Sequence, residues 1–485
     1  MANERGSWGS NIGFLLAAIG SAVGLGNIWG FPYKMGKSGG FTFLIAYLLL
    51  AVFVGFVVMV SELAMGRKVG KGVIGCYHTL SKKFKWVGWL AVFSPFIIMS
   101  FYSVLGGYCI EYMALNMSNL AFAGAEIKTG ADLFTAMLTN PFGCVVFTLL
   151  FLVICYLINR GGISGGIEKF NKIGMPALFV MLVIIIIRAV TLEGAVEGLK
   201  FMFVPGYAVS ARFIEEAPNF ITVLATAGGQ MFFSLSLAMG VMFTYGSYLS
   251  KSENLVKNSM VIVFSDTLVA LMAGLAVIPA AVAIGIQKGM DVADIALSGP
   301  SLLFVTLQDV FNAMGTAGPL FGVIFYLLVL IAAISSAISL VEVVATFFLD
   351  RAAEKGKTAS RHKVVLIICL AITVEAVLVA VDGLGSNGLW VPGQATFGIS
   401  GWNDCWLDFM DMMSEGVAMP LGALLMSLMV GYEIKPKTVL EEVHLSNKLR
   451  IDTFYNICIK VITPIGMILV LLGQLNDFFR LGIFG

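Results

Sequence analysis

The chain has 485 residues, of which 59% are hydrophobic and 12% are charged, and its mean hydropathy is +0.93. A soluble protein of this size is far less apolar, so the sequence predicts an all-α polytopic membrane protein. The formal net charge is only +1, which gives no reason to expect a nucleic-acid partner.

Eleven apolar runs approach the roughly 20 residues that a helix needs to cross about 30 Å of hydrocarbon. They lie near residues 13–36, 41–65, 87–118, 142–158, 172–190, 218–249, 259–286, 318–349, 364–381, 408–431 and 454–477. The segment Met1–Ser10 lacks the basic start and cleavage pattern of a signal peptide, so we expect the first run to be retained.

Lysine and arginine are enriched on the cytoplasmic side of a membrane protein. With the N-terminus inside, the predicted cytoplasmic segments hold 21 of these residues and the outer segments hold 7. The tally predicts a cytoplasmic N-terminus and an external C-terminus.

The seven cysteines lie mostly within the apolar runs, and the three histidines lie in polar segments. Neither set has the spacing of a metal site or of a catalytic triad. We therefore interpret the cysteines as apolar packing residues, and we do not expect an enzyme.

Small and hydroxyl-bearing residues interrupt two of the runs, at Ser21–Asn27 in the first and at Ser234–Gly240 in the sixth. An unpaired backbone amide or carbonyl in hydrocarbon costs several kcal/mol, so irregular backbone at this depth persists only where it lines a cavity or binds something. Paired breaks at corresponding positions of two halves indicate the central site of a secondary transporter.

The positions of the breaks predict a single transmembrane domain with a 5+5 inverted repeat. Repeat one would cover about 11–190, repeat two about 218–431, and an additional helix about 454–477. Because each half has an odd number of spans, the halves would have opposite topology. We also predict an amphipathic piece at 302–314 in an outer loop.

The order and spacing of several motifs resemble the neurotransmitter:sodium symporter family, in its eleven-helix bacterial amino-acid branch with the leucine-transporter fold. The motifs are Arg5 and Trp8 before the first span, Ala22–Asn27 followed by Phe31–Pro32, Glu62–Arg67, Gly165–Lys169, Gln230–Ser236 and Ala332–Ser336. The resemblance implies discontinuous first and sixth helices. It also implies a protein of the plasma (inner) membrane that takes up an amino acid with sodium by alternating access.

The resemblance also implies two sodium sites built from oxygen atoms that the interrupted helices leave free. Site one would comprise Ala22, Asn27, Ser234 and Asp266. Asn27 could instead cap a helix, Ser234 could bond to its own helix, and Ser265 could take the place of Asp266 after a one-residue shift. An unpaired carboxylate in the middle of a span costs at least about 2.5 kcal/mol, which favours a functional role for Asp266.

Site two would comprise Gly20, Val23, Ala332, Ser335 and Ser336. The alternative reading is that these small residues only let two helices approach closely.

Gly24 lies where amine-carrying members of the family have an aspartate, so the resemblance implies a substrate with its own carboxylate. That carboxylate would face the Leu25 and Gly26 amides and the Tyr102 hydroxyl, although Tyr102 could be only a packed aromatic residue. The implied substrate-binding residues are Ser21, Ala22, Val23, Leu25, Gly26, Ile98, Tyr102, Phe233, Ser234, Ser236, Met239, Ser336 and Leu340. Most of the side-chain pocket is apolar, which predicts a neutral, hydrophobic or aromatic amino acid unless Glu342 turns inward.

The resemblance assigns an inner gate to Arg5, Tyr248 and Asp350, with Trp8 beneath the site. A surface ion pair of little energetic weight is the alternative.

At the outer gate, Gln230 and Asp411 match the family and Phe233 would be the lid, but Gly30 stands where an arginine is common. Either Lys34 replaces that arginine, or the gate depends on Phe233 and Tyr102. Glu62 is expected to accept amides that the break in span six leaves free.

The two implied sites predict two bound sodium ions, and the number moved per cycle is left open. A fixed carboxylate at Asp266 supplies negative charge beside sodium site one, so we predict that chloride is not needed. A proton-coupled transporter of the same fold is the alternative if Asp266 or Glu62 titrates. A receptor or channel is a more distant alternative, and a homodimer is left open.

Overall fold

The computed structural model describes residues 7–121, 128–295, 297, 301–392, 405–446, 449–479 and 481–483. Within these ranges every regular element is a helix. We number the predicted spans as they are observed: α1 (Asn11–Ala22 and Gly26–Lys37), α2 (Phe41–Val69), α3 (Val87–Ala121), α4 (Pro141–Asn159), α5 (Ile163–Val190), α6 (Phe220–Ser234 and Val241–Gly246), α7 (Leu255–Gln287), α8 (Gly318–Glu354), α9 (Arg361–Asp382), α10 (Trp406–Glu433) and α11 (Asp452–Phe479).

Nine helices in the described ranges are long and apolar enough to cross a membrane, and α1 makes ten if its two pieces, bent by 45°, form one span. Neither piece of α6 is long enough alone, so the count of eleven stays a prediction. Shorter helices connect the spans at Val73–Leu80, Gly130–Leu138, Ala195–Phe203, Tyr207–Ser210, Leu302–Ala313 and Lys437–His444.

Helix α5 begins at Ile163, nine residues before the apolar run that predicted it. Its first turns are a π-helix, Ile163–Glu168, that contains Gly165 and Gly166, and Lys169 follows it. This composition lowers the local hydropathy without preventing helix formation, which explains the late predicted start.

Both interruptions occur where the sequence predicts them. The first piece of α1 ends at Ala22, and Val23 is extended with φ −76° and ψ 93°. In the break of α6, Ser236 and Ala238 adopt left-handed backbone with φ 53° and 59°, which costs about 1–2 kcal/mol per residue. The Ala238 amide donates to Glu62 Oε1 at 2.7 Å, so the predicted acceptor role of Glu62 is confirmed.

The two breaks lie together at the centre of the molecule. Helix α1 packs against α5, α7 and α8, and its second piece contacts α6. Helix α11 packs against α6 and α10, away from the breaks. The predicted amphipathic piece is helical, and its Gln308 accepts a hydrogen bond of 3.0 Å from Asn116 of α3.

Candidate ion and substrate site

Asp266 is completely buried in α7 and accepts hydrogen bonds from three other helices. Asn27 Nδ2 donates to Oδ1 at 2.7 Å, Ser234 Oγ donates to the same atom at 2.9 Å, and the Tyr47 hydroxyl donates to Oδ2 at 3.1 Å. The structure therefore brings together three of the four residues predicted for sodium site one. The fourth, Ala22, lines the adjoining central cavity.

The hydrogen bonds of this cluster distinguish between the alternative roles considered for Asn27, Ser234 and Ser265. Asn27 does cap the break, because its Oδ1 accepts from the Gly24 amide at 3.0 Å, while its amide nitrogen still reaches Asp266. Ser234 bonds to Asp266, and Ser265 is partly exposed. Tyr47 was not predicted, because an aromatic residue within an apolar run gives no signal of a polar role.

The second cluster joins α8 to the end of the first piece of α1. Ser335 Oγ donates to the Ala332 carbonyl at 2.8 Å and lies 3.4 Å from the Val23 carbonyl. Ser336 Oγ donates to the Ser21 carbonyl at 2.9 Å and lies 3.4 Å from the Gly20 carbonyl. All five residues predicted for sodium site two thus lie together.

Carbonyl, hydroxyl and carboxylate oxygens are the ligands that hard cations prefer. The first cluster contains a carboxylate, whereas the second contains only neutral oxygens. Both clusters therefore suit the same kind of cation, but the first cluster, with its carboxylate, attracts a cation more strongly than the second.

Between the breaks lies a small cavity of about 20 Å³, lined by Ser21, Ala22, Gly24, Gly26, Ile98, Tyr102, Phe233, Ser236, Met239, Ser336 and Leu340. Ten of the thirteen predicted substrate-binding residues are among them, and none of the lining residues is charged. The other three are Val23, Leu25 and Ser234. The Leu25 amide nevertheless points to the site, whereas Val23 and Ser234 belong to the ion clusters. The volume is close to that of one water molecule, so the cavity is contracted in this conformation.

Gly24 is required at its position by close contacts. A Cβ atom there would lie 2.5 Å from the Tyr102 hydroxyl and closer still to Ser336 Oγ. The Leu25 amide, just before the second piece of α1, donates to the Tyr102 hydroxyl at 3.0 Å. Hydrogen-bond donors and the positive end of a helix dipole therefore converge on one end of the cavity, where a carboxylate is favoured.

The outer side of the site opens into a cavity of about 330 Å³ whose lining includes Lys34, Gln230, Phe233, Asp411 and Glu415. Lys34 forms an ion pair with Glu415, one helical turn beyond Asp411 on α10. Lys34 therefore has an acidic partner, as the first alternative requires. That partner is Glu415, which was not among the residues predicted for the outer gate.

Gln230 occupies the space beside Gly30. Its Nε2 donates to the Gly26 carbonyl at 2.6 Å, and a Cβ atom at Gly30 would lie 2.7 Å from its Oε1. Phe233 lines both the outer and the central cavity, with its ring 6.4 Å from that of Tyr102. These contacts place Phe233 between the two cavities, as a lid would be.

On the opposite side, Trp8 lies beneath the site. Its Nε1 donates to the Tyr245 carbonyl at 3.2 Å and the two rings are 4.9 Å apart. Asp350 accepts from the Gly72 amide at 2.7 Å. Arg5 lies outside the described residues, so its predicted pairing with Asp350 stays a prediction.

The Tyr248 hydroxyl bonds to Glu342 at 3.1 Å and to Thr346 at 2.9 Å. Glu342 is fully buried and forms an ion pair with Arg361, the first residue of α9. It therefore faces the inner side and does not line the central cavity. This ion pair was missed, although a carboxylate inside an apolar run is itself a signal of a functional or paired group.

The model of the sodium:neurotransmitter symporter family matches residues 5–131 and 139–483. The uncharacterized sodium-dependent transporter YhdH of Bacillus subtilis is 32% identical over 97% of this chain and 97% of its own length. The uncharacterized sodium-dependent transporter MJ1319 of Methanocaldococcus jannaschii is 30% identical over 95% of this chain and 89% of its length.

The crystal structure of MhsT in complex with L-phenylalanine superimposes with a TM-score of 0.82 at 32% identity, over 97% of this chain and all of MhsT. This match confirms the predicted leucine-transporter fold, which is a fold of secondary transporters and not of enzymes. The protein is a multi-pass, sodium-dependent membrane transporter that belongs to the sodium:neurotransmitter symporter family.

Proposed function

We propose that this transporter couples the inward movement of sodium to the uptake of a neutral, hydrophobic or aromatic amino acid. The observation that supports this most directly is the uncharged central cavity, which has hydrogen-bond donors at one end and lies between two oxygen-rich clusters. The likeness to MhsT, whose structure contains L-phenylalanine, supports the same substrate class.

In the proposed complex, the substrate carboxylate accepts from the Leu25 and Gly26 amides and from Tyr102, in place of the present bond between Leu25 and Tyr102. The ammonium group faces Ser236 and the carbonyls at the two breaks. A side chain as large as that of phenylalanine needs more than about 20 Å³, so Phe233 and Met239 must move to admit it. Both residues line the cavity, and methionine adapts readily to irregular shapes.

Each oxygen-rich cluster would hold one sodium ion. The cluster at Asp266 supplies its own negative charge, which removes the need for a chloride ion as a counter-charge. The cluster at Ser335 and Ser336 ties the first piece of α1 to α8. Loss of sodium from this second cluster would loosen the first piece of α1. This piece begins at an inner cavity of about 680 Å³, whose lining includes Trp8, Asn11 and Tyr248.

Alternating access then requires each path to close in turn. The outer path would close through Lys34, Glu415 and Phe233, and the inner path through Trp8 and Tyr248. Sodium and substrate would shift the equilibrium between the outward-open and outward-closed states only to the extent that they bind the closed state more tightly.

Binding of radiolabelled Leu, Phe, Tyr and Trp to the purified protein tests the proposal. We expect saturable binding in sodium, none in potassium, and no change when gluconate replaces chloride. Asp266→Asn should lose binding, whereas Glu375→Gln, which neutralises a carboxylate of α9 outside the site, should keep it. Equal binding in sodium and potassium would overturn the assignment and favour the proton-coupled alternative.

A further inference from the structure

Three exposed lysines form a turn between the short helix Val73–Leu80 and α3. The described part of the chain places no carboxylate within ion-pair distance of Lys82, Lys83 or Lys85, which we call the basic turn. By contrast, Lys71, on the same side, pairs with Glu354 at 2.8 Å. One carboxylate, that of Glu433, adjoins the turn through its bond to Ser81, so the three lysines leave a net positive charge there without an ion pair to any described carboxylate.

The basic turn is held in a defined conformation. Ser81 Oγ donates to Glu433 Oε2 at 2.8 Å and accepts from the Phe84 amide at 2.9 Å. The Val87 amide then donates to the Phe84 carbonyl at 2.9 Å. The lysines consequently project from a fixed backbone and not from an unconstrained loop.

Large aromatic side chains continue directly from this turn along α3. Trp86, Trp89 and Phe93 are 49%, 48% and 39% exposed. Trp86 directly precedes α3, and Trp89 and Phe93 are four residues apart on one face of it. We call these three residues the aromatic strip. Tryptophan favours the boundary between headgroups and hydrocarbon, so this face is suited to contact with lipid.

A fourth cation adjoins the aromatic strip. The Trp89 and Phe347 rings are 5.0 Å apart, and the Arg351 guanidinium lies 5.9 Å from the centre of Phe347. These three residues line a cavity of about 280 Å³ together with His78, Lys71, Asp350 and Glu354. Glu354 pairs with Lys71 and Asp350 accepts from the Gly72 amide, whereas Arg351 makes no ion pair with a described carboxylate. The Arg351 guanidinium therefore adds a cation to this surface.

We propose that the basic turn, Arg351 and the aromatic strip form a binding site for an anionic phospholipid. The lipid phosphate would accept charge-assisted hydrogen bonds from the cations, and its acyl chains would lie along the strip. A zwitterionic lipid is disfavoured, because its choline group would bring positive charge among the lysines. A soluble anion is disfavoured because half of the site is an apolar face.

The experiment is a lipid competition on the full-length protein, in which native mass spectrometry counts bound phosphatidylglycerol and phosphatidylcholine from an equimolar mixture. We compare the wild type with K82Q/K83Q/K85Q and with the control K257Q/K357Q/K363Q. The control removes equal charge from exposed lysines that belong neither to the basic turn nor to the helical turn next to Arg351. The wild type and the control should bind more phosphatidylglycerol than phosphatidylcholine. In K82Q/K83Q/K85Q this ratio should fall roughly fivefold for each lysine that contacts the lipid.

A second measurement does not depend on the folding of that variant. In wild-type proteoliposomes, phosphatidylglycerol with brominated chains should quench tryptophan fluorescence more than brominated phosphatidylcholine does. Substitution of Trp86 and Trp89 by Phe should remove this difference. Equal quenching by the two lipids in the wild type, or equal loss of preference in both lysine variants, would overturn the proposal. Neither readout uses sodium or substrate, so it is independent of the proposed transport function.

Discussion

The ion pair between Lys34 and Glu415 should stabilise the state in which the outer path is closed. The two side chains are only 15% and 7% exposed. At an effective dielectric constant of 20, unit charges 4 Å apart attract by about 4 kcal/mol, and loss of one partner from a buried pair costs about 3–5 kcal/mol. Because Lys34 keeps some contact with solvent, we expect about 3 kcal/mol, or roughly 150-fold in the equilibrium between open and closed states.

A double-mutant cycle measures this coupling. Lys34→Gln and Glu415→Gln should each weaken apparent substrate affinity at least tenfold, because the closed state that retains substrate is less populated. The double variant should lose little more than either single variant. In a Thr226→Cys variant, the reactivity of the introduced thiol reports the same shift, because residue 226 lines the outer cavity and all seven native cysteines are buried.

The ion pair of Lys37 with Asp477 is the matched control. It lines the same cavity and its length is 2.9 Å, but its side chains are 48% and 49% exposed. Substitution of Lys37 or Asp477 by a neutral residue should change the apparent substrate affinity by no more than about fivefold, as is usual for exposed ion pairs. Additive effects of the Lys34 and Glu415 substitutions, or effects equal to those of the control pair, would refute the reasoning.

Three further substitutions follow from the same contacts. Gly24→Ala should reduce substrate binding at least tenfold in the labelled amino-acid assay because of its clash with the central hydroxyls, whereas Gly422→Ala, where a Cβ meets nothing closer than 3.5 Å, should not. Glu62→Leu should lower the melting temperature, since the buried Ala238 amide loses its acceptor at a cost of about 1–3 kcal/mol, and Glu62→Gln, which keeps an oxygen, should lower it less. Glu342→Gln removes the acidic partner from the inner ion pair, so a cysteine placed in the inner cavity should react faster; an unchanged rate would mean that this pair does not hold the inner path closed.

The fold was largely predictable because membrane spans depend on a property that the sequence displays directly, namely long apolar runs. The breaks were visible because small and hydroxyl-bearing residues replace bulky ones there. The left-handed backbone at Ser236 and Ala238 was not visible, because neither residue favours it. The Glu62 carboxylate on another helix helps to stabilise that conformation.

The candidate site was predictable where a residue is unusual in its own surroundings. Asp266 stands out as a charge within an apolar run, whereas Tyr47 resembles any other aromatic residue of a span until its hydroxyl is seen 3.1 Å from that carboxylate. Lys34 and Glu415 are separated by 381 positions, so their pairing depends on how α1 and α10 meet and not on any local pattern.

The hydrogen bonds around Asp266 bear on the return half of the transport cycle. A carrier that has released its cargo must reorient without it, and a bare carboxylate in the middle of the protein would oppose that step. Asn27, Ser234 and Tyr47 belong to three different helices and all donate to Asp266. These donors would stabilise the Asp266 carboxylate while the empty transporter reorients. Sodium would then replace these hydrogen bonds when it binds. The rate of turnover would depend on how closely the free energy of the hydrogen bonds matches that of sodium binding.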